Sequence, residues 1–379
     1  MKSVLIVAGE NSGDQHGADV VREFKKRHAD VSFFGVGGVR LAEEGVELCS
    51  SVNELSALGI FEVINRLPKI RRIYFRLQKE VQARSPAAAV LIDSPDFNLR
   101  LAKKLHASGI PVLYYISPTV WAWRSGRLRT IRKAITRMCL IFPFEKELYD
   151  AHGIPAAFVG HPLTGKVVAR LTRDEFLAKY ALPRDRYLIT LLPGSRPTEI
   201  RNHLPVLVAA IRELRAELPV HFLIVLAESI DPGFLHRHLP RDENGVDVIA
   251  TDRYEAIATA DLVLSSCGTA NLETALLGTP FIAFYRLSPL TYYPFRGLVR
   301  VPAYSIVNIL AARPVVPELI QGRFSSVRLV REVKTLLFSE EKKAKMREEF
   351  RRIAGLLGEE RAGERVAEEL EPLVFPRAA

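Results

Sequence analysis

Along residues 4–285, short runs of Val, Ile, Leu and Phe alternate with longer segments of helical period. Strands are predicted near 4–8, 32–36, 88–92, 112–116, 138–142 and 156–159, then near 187–192, 221–226, 246–250, 261–265 and 281–285. Several of these runs are apolar without alternation, the pattern of a parallel sheet covered by helices on both faces. Two successive series of this kind imply an α/β fold with two doubly wound domains, each binding ligands at the carboxyl ends of its strands. The boundary falls between Gly160-His161-Pro162 and Tyr187, where a polar, helix-like stretch from Thr172 to Tyr180 intervenes. From about residue 326 strands give way to charged helix formers. The expected division is 1–165, 166–340 and a helical segment 341–379. A chain of 379 residues has the length for two ordinary domains.

Composition removes several classes. At 48% hydrophobic and 25% charged residues, disordered, collagen-like and coiled-coil chains are excluded. The apolar start, Val4 to Ala8, runs at once into Gly9-Glu10-Asn11-Ser12-Gly13-Asp14, so it reads as a first strand entering a loop and not as a signal peptide. No stretch reaches the roughly 20 apolar residues of a membrane span. Cys49, Cys139 and Cys267 lie too far apart for a zinc site, and an odd count argues against a disulfide framework. Buried thiols in a reducing, cytosolic or cytosol-facing compartment are expected. The 53 basic against 43 acidic residues, net +10, point to an anionic partner. Lys69, Arg71, Arg72 and Arg76 belong to one basic stretch, residues 61–85, with Pro68 placed to start a second helix. Its apolar residues, Ile60, Ile64, Leu67, Ile70, Tyr74 and Leu77, recur at helical spacing, which suits a membrane-surface helix or a core-facing one with a solvated side. The second stretch, 124–137, follows Trp121 and Trp123 and contains no acid; RNA, acidic lipid or a phosphorylated substrate would each suit it.

Four loops can carry chemistry. Gly9 to Asp14 follows the first strand and opens a helix, without the spacing of a dinucleotide fingerprint or the Lys of a P-loop. Ser12 or Asp14 capping that helix is the competing reading. Asp93, in Ile92-Asp93-Ser94-Pro95-Asp96, falls at a strand end where a carboxylate can take a proton from a substrate hydroxyl, while Asp96 is read as a helix cap. In Pro193-Gly194-Ser195-Arg196, Gly194 and Ser195 offer donors and Arg196 a planar fork for phosphate oxygens. Gly268-Thr269 opens a helix suited to a diphosphate, and Glu273, one turn on, suits ribose hydroxyls. A surface Arg and a Glu offsetting the helix dipole would explain the same residues. Two such loops in one domain favour nucleotide binding. No cluster has metal-ligand spacing and no Gly-x-Ser-x-Gly elbow occurs.

These strings, together with Ser117-Pro118-Thr119-Val120-Trp121-Ala122-Trp123, Phe142-Pro143-Phe144-Glu145 and Val159-Gly160-His161-Pro162, stand in the order that resembles the lipid A disaccharide synthase family, from about residue 4 to 322. Cys267, Asn271 and Pro197 depart from the family's usual residues. The resemblance implies a GT-B glycosyltransferase, two Rossmann-like domains facing across a cleft, with a C-terminal helix returning to the first. It implies an inverting transfer from UDP-2,3-diacylglucosamine to 2,3-diacylglucosamine 1-phosphate (lipid X), with no metal and no cofactor. Asp93 is then the expected base, with Glu10 the other candidate. Ser12, Asp14 and Trp121 line the acceptor side, and Gly194, Ser195, Arg196, Gly268, Thr269, Glu273 and Asn308 the UDP side. The expected partners are the two acylated substrates and the anionic cytoplasmic face of a Gram-negative inner membrane, with no nucleic acid; no oligomeric state follows. A UDP-sugar 2-epimerase or peptidoglycan glucosaminyltransferase is the alternative within the fold, and a nonenzymatic RNA-binding protein the alternative outside it.

Overall fold

In the computed structural model, residues 2–55, 60–239, 245–288, 292, 301–359 and 361–376 are described. The chain forms two compact units, Met1–Pro162 with Leu357–Ala379, and Leu163–Leu356. Unit 1 holds a seven-stranded parallel sheet made of β1 (Ser3–Ala8), β2 (Ser32–Gly37), β3 (Glu47–Ser51), β4 (Ala88–Ile92), β5 (Val112–Tyr115), β6 (Arg137–Leu140) and β7 (Ala156–Phe158), in the order 3-2-1-4-5-6-7. Unit 2 holds a six-stranded parallel sheet made of β8 (Tyr187–Leu192), β9 (Val220–Val225), β10 (Val246–Ile249), β11 (Leu262–Ser266), β12 (Phe281–Tyr285) and β13 (Glu318–Ile320), in the order 10-9-8-11-12-13. Both orders reverse direction once, between β1 and β4 and between β8 and β11. A crevice opens at such a switch point because the connections on its two sides leave in opposite directions.

Successive residues of the unit 1 strands face opposite layers. Leu5, Val7, Ala89, Leu91 and Tyr114 pack with Leu77, Leu101 and Ile131, from helices Ile60–Arg84, Pro95–Ala107 and Leu128–Ala134. Val4, Ile6, Val90, Ile92 and Tyr115 pack with Val21, Phe24, Val366 and Leu370, from helices Asn11–Arg27 and Ala362–Val374. The chain thus passes back to unit 1 at Leu357, and residues 341–356 stay with unit 2.

Two strands escaped the sequence reading. β3 buries only Cys49 and β13 is three residues long at a sheet edge, so neither has an apolar run to announce it. Pro68 lies inside the single helix Ile60–Arg84 and does not start a second one. In that helix Leu77 is buried, and Ile70 and Tyr74 pack on the core, while Lys69, Arg71, Arg72 and Arg76 are exposed. The side chains of Ile60, Ile64, Arg66 and Leu67 lie outside the described residues.

Helix Ala362–Val374 closes one face of the first sheet with Val366 and Leu370 fully buried. Leu370→Ala should cost about 2–5 kcal/mol, lowering the melting temperature of a unit this size by roughly 4–20 °C. An unchanged thermal melt would show the helix to be peripheral.

Candidate functional site

At the switch point of unit 1, parallel pairing sets Ala8 beside Ile92. The loops that leave these two residues carry Glu10 and Asp93. Ser94 sits so close to the first loop that a Cβ on Gly9 would lie 1.8 Å from its Oγ. Asp93 and Ser94 both adopt left-handed backbone, φ 46° and 44°. Each such non-glycine residue costs about 1–3 kcal/mol, and strain of this kind persists where surrounding contacts over-determine the turn. Asp93 N–H donates to Tyr115 O at 3.0 Å, and the Asp93 carbonyl accepts from Tyr114 Oη at 2.5 Å and Asn98 Nδ2 at 2.8 Å. Burial, with the neighbouring Glu10 charge second, pushes the Asp93 carboxyl up to about 6. Glu10 and Ser12 are exposed at the start of helix Asn11–Arg27.

Two carboxylates read as possible helix caps in this unit, Asp14 and Asp96, do not cap their own helices. Asp14 is 5% exposed and accepts from the backbone N–H of Gly38 (2.5 Å), Arg40 (3.0 Å) and Leu41 (3.2 Å). It holds the start of helix Val39–Glu43 and does not cap its own helix. Asp96 makes no cap; 76% exposed, it pairs with Arg124 and Arg127, whose guanidiniums lie over the Trp123 ring. Trp121 is half-buried and meets Phe144 edge-on at 5.2 Å; Phe144 stacks on Phe142, which contacts His161. Burial and the neighbouring His16 push His161 down to about 3, so it is a neutral packing residue.

Beneath this ring series lies Glu145, 1% exposed, accepting from Phe142 N–H at 3.3 Å. Burial pushes it up to about 8 against the opposing pull of the Phe142 N–H and the Ser117 hydroxyl. A group raised from 4.5 in the folded state makes its stability contribution below the unfolded value and loses it as pH rises toward 8. Glu145→Gln should therefore gain melting temperature over the wild type progressively from about pH 4.5 to 8. A pH-independent difference between the two melts would contradict this.

At the switch point of unit 2, β8 and β11 pair with Leu192 beside Ser265. Helix Pro197–Glu217 starts after the first strand, with Pro197 at N1, where the missing N–H breaks no helical bond. Helix Thr269–Leu276 starts after the second. Arg196 is 54% exposed, and Gly268 has open space where a Cβ would project. Gly194, φ 135°, must be glycine, since a Cβ would lie 2.6 Å from the Glu199 side chain.

Sequence reasoning missed the residues that hold this loop. Buried Glu199 accepts from Ser195 N–H at 2.8 Å and from Tyr285 Oη at 3.1 Å. His203, fully buried and lowered below 6.5 by that burial, donates from Nδ1 to Pro193 O at 2.6 Å and accepts at Nε2 from Arg286 N–H at 3.0 Å. The available signal was Glu199, three residues after Arg196 at a helix start. Two expected ligand contacts are already engaged. Glu273 pairs with Arg253 at 2.5 Å. Asn308 donates to Val316 O and Glu318 and accepts from Val315 and Val316 N–H, which fills its amide capacity. Through that amide it clamps the loop from Val315 to Glu318. Among the described residues, no three His, Cys, Asp or Glu side chains gather as metal ligands would.

Two doubly wound parallel sheets, each with a site at its switch point, define the fold class of the GT-B glycosyltransferases and the related UDP-sugar epimerases. Solved structures of this class share only the fold with the chain. A UDP-GlcNAc 2-epimerase from Neisseria meningitidis aligns with TM-score 0.67 at 13% identity over 97% of this chain and 99% of its own. The calicheamicin glycosyltransferase CalG4 aligns with TM-score 0.60 at 15% identity over the whole of both chains. The family model described as Lipid-A-disaccharide synthetase matches residues 4–369. Lipid-A-disaccharide synthases of Syntrophus aciditrophicus and Myxococcus xanthus are 43% and 40% identical, covering 97% and 98% of this chain and 96% and 98% of their own. The chain belongs to the lipid-A-disaccharide synthase family.

Proposed function

We propose that the chain is an inverting glycosyltransferase joining UDP-2,3-diacylglucosamine to lipid X, to form the β(1→6) disaccharide 1-phosphate and UDP. The observation that carries this reading is the difference between the two switch points. Unit 1 presents a half-buried carboxylate of raised pKa, and unit 2 presents an exposed Arg196 at helix starts suited to a diphosphate. Asp93 takes the proton from the acceptor 6-hydroxyl as that oxygen attacks the anomeric carbon from the face opposite UDP. The bond from that carbon to the diphosphate oxygen breaks, and the leaving charge falls on Arg196 and the start of helix Thr269–Leu276. Glu10, Ser12 and Trp121 belong to the acceptor side, which assigns the first domain to acceptor and base and the second to the nucleotide sugar.

Asp93→Asn should lower turnover by ~10²–10⁴ while UDP affinity and melting temperature stay near wild type. The wild-type rate should fall as pH drops through about 6, because the base is lost on protonation. A robustly active Asp93→Asn enzyme transfers the role to Glu10. Arg196→Ala removes a charge-assisted contact of ~1.5–3 kcal/mol, and UDP affinity in calorimetry should fall at least tenfold. Unchanged affinity would take Arg196 out of the site. Omitting each substrate in turn separates this reading from epimerisation, which needs no acceptor.

The enzyme is proposed to work at the anionic cytoplasmic face of the inner membrane. No described helix is long and apolar enough to cross a bilayer. The layer of helices Ile60–Arg84, Pro95–Ala107 and Leu128–Ala134 exposes Lys69, Arg72, Arg76, Lys103 and Arg132 on one side of the first sheet. Replacing Lys69, Arg71, Arg72 and Arg76 by Ser should weaken binding to anionic vesicles at about 1 kcal/mol per charge, with little change in turnover on detergent-dispersed substrates. Equal vesicle binding at low salt would mean that the helix serves only the core.

A further inference from the structure

We propose that Tyr114 and Asn98 are positioning residues that hold the Asp93 carboxylate in its reactive pose by anchoring the carbonyl of the same residue. The inference rests on the reading of Asp93 as the base. Left-handed backbone at two successive non-glycine positions is not what Asp93 and Ser94 would adopt unaided. Something outside the turn must hold it, and three elements converge there. Tyr114, from β5, donates its hydroxyl to Asp93 O. Asn98, from helix Pro95–Ala107, donates Nδ2 to the same oxygen and, at 3.0 Å, to Ile92 O. Asp93 N–H is engaged by Tyr115 O. Both anchoring side chains are fully buried.

Neither anchor needs to touch substrate. With the peptide on both sides of the Asp93 Cα fixed, the carboxylate can move only by side-chain rotation, and it stays in the buried position beside Glu10. Unit 2 repeats the device: Asn271, at the equivalent place after β11, donates Nδ2 to Ser266 O at 3.1 Å and to Ser265 Oγ at 2.8 Å. The same amide thus holds the strand end at both switch points, whereas only unit 1 adds a tyrosine and carries a base. The charged and titratable groups around the pair are Glu10 beside Asp93, and Asp96, Arg127 and Tyr149 around the Tyr114 ring.

The test uses the full-length enzyme with UDP-diacylglucosamine and lipid X. Tyr114→Phe removes only the hydroxyl, and Asn98→Ser removes the amide from a different element, so the question survives if one variant fails to fold. Each should lower kcat by roughly tenfold or more, as expected for a displaced catalytic group, with UDP affinity and KM unchanged. The acid limb of kcat/KM should move away from its wild-type position as the carboxylate leaves its buried site. In an Asp93→Asn background Tyr114→Phe should have no further effect, because the anchor acts only through that carboxylate. Wild-type kcat and an unmoved limb in the folded variants would overturn the proposal, as would a full Tyr114→Phe effect without the carboxylate. Retained turnover in Asp93→Asn alone would instead overturn the reading of Asp93 as base.

Discussion

Parallel pairing at the point where strand order reverses is the constraint on which the rest depends. Register between β1 and β4, with Val4 beside Ala88 and Ala8 beside Ile92, brings the ends of two strands more than eighty residues apart onto one line. The connections then diverge, and a doubly wound sheet opens a crevice at such a point, beside the loops bearing Glu10 and Asp93. The same holds for β8 and β11, where Pro193–Arg196 and Gly268–Thr269 emerge. The proposed site follows from this, because a doubly wound sheet leaves a gap at its switch point while the inward positions of its strands are taken by core packing.

Given that frame, polar residues divide by whether the backbone already satisfies them. Asp14 and Asn308, expected at ligand sites, are buried like Glu199, with side-chain hydrogen bonds to nearby N–H, hydroxyl or carbonyl groups. Removing such a residue would leave buried donors unpaired, a structural penalty. Arg196, Glu10 and Ser12 have the opposite character, being exposed, with Arg196 keeping a 3.5 Å pair to Glu199. Asp93 lies between: its backbone is fully engaged, while its carboxylate is held close to another charge. That combination separates a residue the fold uses from one the fold presents.

Most of the architecture was legible in sequence because buried parallel strands leave continuous apolar runs. β4, β8 and β12 fell where 88–92, 187–192 and 281–285 were expected. Edge strands β3 (Glu47–Ser51) and β13 (Glu318–Ile320) were invisible because they are polar or very short, whereas the other two edges, β7 and β10, are mostly apolar. The place of Asp93 at a strand end was legible because it directly follows an apolar run, and that of Arg196 because Pro193-Gly194-Ser195 breaks the run before it. Glu199, His203, Asn98 and Tyr114 were not. Each sits inside a helix or strand whose period already accounts for it, and its hydrogen-bond partner is between four and twenty-one residues away in sequence, or farther for the contacts to β12. Asp96 misled because a carboxylate beside a helix start is usually a cap; here two arginines from residues 124–127 compete for it.

For Asp93 as the proposed base, an elevated pKa has a cost and a gain that can be weighed. A carboxyl titrating at about 6 is still roughly nine-tenths ionised at pH 7, so little base is lost. The gain is a carboxylate more basic than an exposed aspartate, in a reaction whose acceptor hydroxyl is a far weaker acid. Deeper burial would raise basicity further but leave the group protonated, as at Glu145, which titrates at about 8 and suits packing and not proton abstraction. A carboxylate left fully in solvent would be a weaker base. The left-handed turn at Asp93 and Ser94 carries that carboxylate at the end of β4, whereas Glu145 and Glu199 sit on helices with no such backbone strain.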